Sequence, residues 1–167
     1  MSNEFAVQAR EGQAIEIPFS TTLLVRDTCL CLHVQRAARI LARRFDMALR
    51  PVGLTNGQFS LLMSLNRPNL PGVPRATVSS VAELLGMDRT TLTAAARVLY
   101  GRDLLTLEAE EGDRRSKVLR LTIEGRRVLA KAVPIWVSEH AAVEAELGQS
   151  SNADRLRQDL CTLKCGG

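Results

Sequence analysis

Aromatic side chains are scarce: one tryptophan, one tyrosine and four phenylalanines in 167 residues. An all-β fold leans on aromatic and β-branched residues, so this shortage, beside abundant Leu and Ala, favours helix. Histidine is rarer still, with two copies, and neither stands in a nucleophile–base pattern. Enzymatic chemistry and a bound cofactor are therefore not expected. No apolar run approaches ~18 residues, and no basic stretch followed by an apolar one opens the chain. The expectation is a soluble, cytoplasmic protein with no membrane partner. The four cysteines, Cys29, Cys31, Cys161 and Cys165, are expected as reduced thiols rather than a disulfide framework. No internal repeat is visible.

What is present is a chain 46% hydrophobic with a formal net charge of +4. That supports one ordinary domain with helical extensions and is compatible with a polyanionic partner. Residues 1–21 mix polar, glycine and isolated apolar positions and read as a flexible arm. From Thr22 the pattern turns helical. Leu30, Val34, Ala37, Leu41, Phe45 and Ala48 recur at steps of four and three, until Pro51 and Gly53 end the segment. Thr55 and Gln58 have capping-box spacing and predict a short helix to about Leu65. Three prolines, Pro68, Pro71 and Pro74, mark a loop.

A third helix is predicted over about Thr77–Leu85, burying Val78, Val81, Leu84 and Leu85. Gly86 stops it, and Asp88 caps a fourth helix to about Tyr100, with Leu92, Ala95 or Ala96, and Leu99 inward. Short strands are expected at Leu104–Glu108 and Lys117–Leu121, joined by a Glu-Glu-Gly-Asp-Arg turn. Thr122 then caps a long helix whose stripe is Leu129, Val133, Trp136, His140, Val143 and Leu147, with Pro134 predicting a kink or local loss of a hydrogen bond. A turn at Gly148–Asn152 leads to a terminal helix over Ala153–Leu163. The fold class is mainly α with a small β-hairpin wing: a winged helix-turn-helix lobe at 54–122 and a helical dimerisation region at 22–53 and 123–163.

Helix, helix, four-residue turn, helix and hairpin, in that order, is a DNA-binding layout. The turn is Leu85-Gly-Met-Asp88. On the following helix, Arg89, Thr90, Thr93 and Arg97 face outward, with Thr91 beside them, and a hydroxyl- and guanidinium-bearing helix N-terminus suits base edges and phosphates. Taken alone, a solvated helix face explains the same pattern. The hairpin tip Asp113-Arg114-Arg115, followed by Lys117, favours DNA, because a narrow basic tip enters a minor groove. Asp113 either holds the Arg115 guanidinium or caps backbone amides of the turn.

These residues resemble the MarR family of winged-helix transcription regulators. The match is Asp113-x-Arg115-x5-Leu121-Thr122-x-x-Gly125, together with the segments Leu54–Leu62, Val81–Thr93 and Ala132–Trp136, and it covers roughly residues 25–150. The resemblance implies a homodimer with interlocked first and last helices, bound to double-stranded DNA at a pseudo-palindromic operator. Its recognition helices would sit about 34–36 Å apart. One departure is the run Ala94–Ala96, where relatives often carry a basic residue.

Family resemblance also implies release by a small effector, often an aromatic acid or phenol. His33, Phe59, Met63 and Trp136 are the candidate walls, with Arg36 or Arg39 available for a carboxylate; the alternative is that Phe59, Met63 and Trp136 are simply core. A second possibility is thiol sensing. Cys31 stands where the organic-peroxide-sensing branch carries its reactive cysteine. The tyrosines which that branch places four and fourteen residues on are Gln35 and Phe45 here, so the activating hydrogen-bond donors are expected to be absent. For a metal, Cys29 and Cys31 would point about 200° apart on one helix. Cys29 with His33, and Cys161 with Cys165, have the i, i+4 spacing of one face and would form a site only by meeting at a dimer centre; no metal site is expected. Arg36, Arg39, Arg43, Arg44 and Arg50 crowd the first helix and are expected to pair with acids such as Glu139, Glu144 and Glu146. A winged helix used only for protein association is the third class of function.

Overall fold

The computed structural model describes residues 17–68, 73–110, 113–147 and 152–163, with the side chains of 110 and 113–116 also outside that description. Most of the expected arm, the turn before the terminal helix, Gly112 and Cys165 thus lie outside the described residues. The chain divides into two compact units, 1–40 and 41–167; the boundary falls inside a helix.

In the first unit, α1 (Phe19–Thr28) is followed by the start of α2 (Leu30–Leu49). The single helix expected from Thr22 is instead two, parted at Cys29, whose backbone is extended (φ −72°, ψ 103°). Neither glycine nor proline marks the break. Hydrogen bonds stitch it: Cys29 N–H donates to the Val25 carbonyl and His33 N–H to the Cys29 carbonyl, at 3.0 and 3.1 Å. The Cys29–Cys31 geometry expected for one continuous helix therefore does not apply. Of the expected α2 stripe, Phe45 is buried, Val34 and Ala48 are half-buried, and Leu30, Ala37 and Leu41 are exposed; Leu49, outside that stripe, is buried.

The second unit holds the core. After a 3-10 turn at Arg50–Val52 come α3 (Asn56–Ser64), α4 (Val78–Leu85), α5 (Arg89–Tyr100), β1 (Leu105–Glu110), β2 (Asp113–Leu121), α6 (Ile123–Glu146) and α7 (Ala153–Cys161). The Thr55–Gln58 capping box forms as the spacing predicts, with Gln58 N–H on the Thr55 hydroxyl (3.2 Å) and Thr55 N–H on the Gln58 amide oxygen (3.1 Å). Thr77 and Ser80 make a second box at the head of α4. Leu49, Leu61, Leu62, Val81, Leu92, Leu99, Leu105 and Leu119 are fully enclosed. By area bookkeeping, each such leucine contributes on the order of 1.5–3 kcal/mol to the lobe.

Leu84, expected inside, is 61% exposed. Helical periodicity had one apolar position too many, since Val78, Val81 and Ala82 already fill the buried face of α4. Ala96 rather than Ala95 is the fully buried one of the pair in α5.

β1 and β2 pair antiparallel from Leu105 opposite Leu121 to Ala109 opposite Lys117, then shift register so that Glu110 faces Asp113. Strand pairing thus runs further toward the tip than the expected boundaries, and Asp113–Arg115 are strand residues rather than turn. Thr77 bridges Val118 on the other edge of β2. α6 passes through Pro134 without interruption. Its stripe is buried at Leu129, half-buried at Trp136, His140, Val143 and Leu147, and exposed at Val133. Of the five arginines expected to pair with acids, Arg44 does so, with Glu139 and, at 2.5 Å, with Glu146; among the described residues Arg36, Arg39, Arg43 and Arg50 make no ion pair. Glu144 instead takes Arg157 of α7 at 2.6 Å.

Candidate nucleic-acid interface and effector wall

The turn between α4 and α5 is set by Gly86, whose φ of 62° is left-handed; a residue with a Cβ is disfavoured there. Gly86 N–H donates to the Glu83 carbonyl and Met87 N–H to the Ala82 carbonyl, at 3.1 and 2.9 Å. This closes α4 in a Schellman pattern and aims the chain into α5. Asp88 then caps α5. Its carboxylate accepts the Thr91 backbone N–H (2.7 Å) and the Thr91 hydroxyl (2.5 Å). These bonds, the hydroxyl's first, hold the Asp88 carboxyl below the usual aspartate range.

That cap sorts the recognition-helix candidates. Thr91 spends its proton on Asp88, and the half-buried Thr93 donates its hydroxyl to the Arg89 carbonyl at 2.7 Å. Both act on their own helix. Arg89, Thr90 and Arg97 are exposed, and among the described residues their side chains make no ion pair or hydrogen bond. They form the cationic, hydroxyl-bearing surface that a major groove accepts. On the wing, Lys117 is exposed. Asp113, Arg114 and Arg115 lie on the first three residues of β2, and their side chains lie outside the described residues.

The wing is anchored at its far end. Thr122 caps α6 by accepting the Gly125 N–H at 2.9 Å, and its hydroxyl donates to the Asp103 carbonyl at 2.6 Å. Gly125 is needed there, because a Cβ would overlap the Leu104 carbonyl oxygen.

Of the effector candidates, the structure brings together Phe59, which is buried, and Trp136, which is half-buried; their rings stack with centroids 6.1 Å apart. His140 adds a third ring, tilted against Trp136 at 4.7 Å. It was legible as a stripe residue four positions after Trp136 and was missed as a wall. Met63 follows Phe59 by one helical turn and is exposed. His33 and Arg36 are exposed on α2 within the 1–40 unit; His33 Nε2 lies 3.4 Å from the Asp27 carbonyl.

Cys31 is exposed at the second residue of α2. The expected absence of a donor is corrected by Gln35, whose side-chain amide donates to Cys31 Sγ at 3.1 Å. Arg39 in turn donates to the Gln35 amide oxygen at 3.2 Å. The i, i+4, i+8 spacing was the available signal.

A helix-turn-helix backed by a two-stranded wing and a long following helix is a winged-helix DNA-binding fold. The chain is 39% identical to the transcriptional regulator MosR of M. tuberculosis, solved in complex with DNA, over 80% of this chain and 92% of that one, with a TM-score of 0.70. It is 30% identical to the transcriptional repressor CouR bound to a 23-mer DNA duplex, over 88% and 97% of the two chains, with a TM-score of 0.68. AbsC, a MarR-family regulator of Streptomyces coelicolor, shares the fold at 22% identity, covering 81% of this chain and 88% of its own, with a TM-score of 0.64. No family model and no curated protein matches. The chain belongs to the MarR family of winged helix-turn-helix transcriptional regulators, and it is a DNA-binding regulator. Among the described residues no helix is long and apolar enough to cross a membrane.

Proposed function

We propose that the protein is a cytoplasmic homodimeric repressor that binds a pseudo-palindromic operator and is released by a small aromatic effector. The observation that carries the DNA half is the exposed trio Arg89, Thr90 and Arg97 on the second helix of a capped helix-turn-helix. It stands in a chain 39% identical to a DNA-bound regulator. Arg114, Arg115 and Lys117 supply the wing's contacts, and Asp113 positions the wing. Homodimerisation is supported by apolar side chains left in solvent on three helices, including Phe19 and Val25 of α1, Leu32 and Met47 of α2, and Leu156 and Leu160 of α7. Large apolar side chains left exposed in each unit mark surfaces of association.

For the effector, the Phe59–Trp136–His140 ring series, half-buried at Trp136 and His140, offers aromatic contacts to a planar ligand, with Met63 as an adaptable neighbour. CouR has been solved bound to p-coumaroyl-CoA, which is consistent with an aromatic acyl group as effector here. Footprinting the protein on its own promoter region at physiological salt, with and without phenolic acids and their thioesters, tests both halves. Protection that a phenolic compound relieves is expected. No protected region would sink the DNA reading, and protection indifferent to every aromatic compound would sink the effector reading.

The Cys31–Gln35–Arg39 chain favours a second reading, a thiol switch. Arg39 holds the Gln35 amide, which donates to the exposed Cys31 sulfur, the atom that peroxide would oxidise. Under this reading peroxide releases the wild-type protein from DNA and leaves Cys31→Ser bound. Equal release of both removes it.

A further inference from the structure

Once its own hydrogen bonds are counted, the outer face of α5 has little polar chemistry left at its middle. Thr90, Thr93, Ala94 and Arg97 follow one another at helical spacing, on the side away from the buried Leu92, Ala96 and Leu99. Thr90 and Arg97 keep a hydroxyl and a guanidinium for DNA. Thr93 does not, because its hydroxyl proton goes to the Arg89 carbonyl at 2.7 Å. Thr91, on the flank, is tied to Asp88 at 2.5 Å in the same way. What Thr93 has left to offer is its γ-methyl group. Ala94, exposed beside it, has a methyl and nothing else. Of the three consecutive alanines, Ala96 is fully buried and Ala95 half-buried, so Ala94 is the one that reaches the outer face.

The major groove offers such a surface one complement. Every base pair shows hydrogen-bonding groups there, and thymine adds a C5-methyl, the apolar group of the groove floor. An arginine or lysine at the middle of the helix would select guanine, and an asparagine or glutamine would select adenine; no such residue stands between Thr90 and Arg97. Two methyl groups pressed against guanine or cytosine edges would strip water from polar groups and return no hydrogen bond. Against a thymine methyl they bury apolar area and leave nothing unpaired. Their small size also lets the backbone of α5 lie close to the groove floor, which brings Thr90 and Arg97, about one turn to either side, within reach of their own bases.

We propose that Thr93 and Ala94 are specificity determinants that read thymine through its methyl group, at the centre of the sequence that α5 covers. The inference rests on α5 being the recognition helix of a DNA-binding regulator, as proposed above, and adds which base its middle selects and by what chemistry.

The test uses the full chain and duplexes that the wild type retains from a randomised library. Each thymine of a retained duplex is replaced singly by deoxyuridine, which keeps the base pairing and removes the methyl. The wild type should lose about fourfold in affinity at a thymine of the covered sequence, the worth of one buried methyl. Thr93→Ser keeps the hydroxyl and discards the methyl, and should reduce that preference; Thr93→Ser with Ala94→Gly should show none. Thr93→Val keeps a methyl and discards the hydroxyl, and should retain the preference. The proposal is overturned by a wild type that binds the duplex and is indifferent to every thymine methyl, or by a double variant that keeps the preference. It is equally overturned if Thr93→Val loses the preference while Thr93→Ser keeps it, since the hydroxyl would then be the reader. A wild type that retains no duplex at all sinks the operator reading, and this inference with it.

Discussion

Gly125→Ala tests whether the α6 entry and the wing's end form one packed joint. The first turn of α6 lies directly on the backbone of Leu104. An alanine Cβ would overlap the Leu104 carbonyl oxygen and stand 2.9 Å from its carbonyl carbon and 3.3 Å from its Cα. All three are backbone atoms, so no rotamer change relieves the clash; helix or strand must move. Overpacking of this kind costs about 1–3 kcal/mol. Moving α6 also strains the Thr122 hydroxyl bond to Asp103 (2.6 Å) and the Thr122 N–H bond to Leu104 (3.3 Å), and a lost cap costs roughly 1 kcal/mol. Alanine's better helix propensity returns at most about 1 kcal/mol.

The net expectation for Gly125→Ala is a loss of about 2 kcal/mol. For a chain of this length that lowers the melting temperature by roughly 4–8 °C and the urea midpoint by about 1 M. Circular dichroism at 222 nm, at matched protomer concentration, reads both. A variant as stable as the wild type would refute the close approach of Gly125 to Leu104.

Two further outcomes follow from the DNA-binding lobe. The folded Asp88 carboxyl titrates below its unfolded value, so its contribution to the α5 cap is complete above the ordinary aspartate range. It is lost as pH falls through the folded value. Asp88→Asn should keep much of the cap while flattening the acid limb of a stability–pH profile over that window; an unchanged acid limb would remove Asp88 from the explanation. Arg115→Ala should weaken binding to all operator sequences alike and reduce the slope of log affinity against log salt by about one. Unaltered affinity in gel-shift titrations across salt concentrations would withdraw the wing's cation from the interface.

Much of the lobe was legible because its signals are local. Thr55 and Gln58, Gly86, Asp88 and Thr122 each announce a helix end through a backbone requirement that neighbouring residues satisfy. The break at Cys29 was not legible, since its extended backbone is held by bonds to Val25 and His33 and no breaker residue marks it. Leu84 misled because periodicity reports which residues are apolar and not which face meets a neighbour. At the site, Arg89, Thr90 and Arg97 followed from helix phase, while the occupation of Thr91 and Thr93 by their own helix depends on rotamers that spacing does not set.

The placement of Trp136 has a practical consequence. It is the chain's single indole, and its two ring neighbours come from different elements, Phe59 on α3 and His140 on α6. A ligand that enters along this wall must slide against the indole or displace a neighbouring ring, and either event changes the polarity the excited state senses. The protein therefore carries a built-in optical reporter, free of spectral overlap from a second tryptophan. Under the proposed effector reading, aromatic compounds can be screened by emission shift on unlabelled protein, with no operator DNA in the assay.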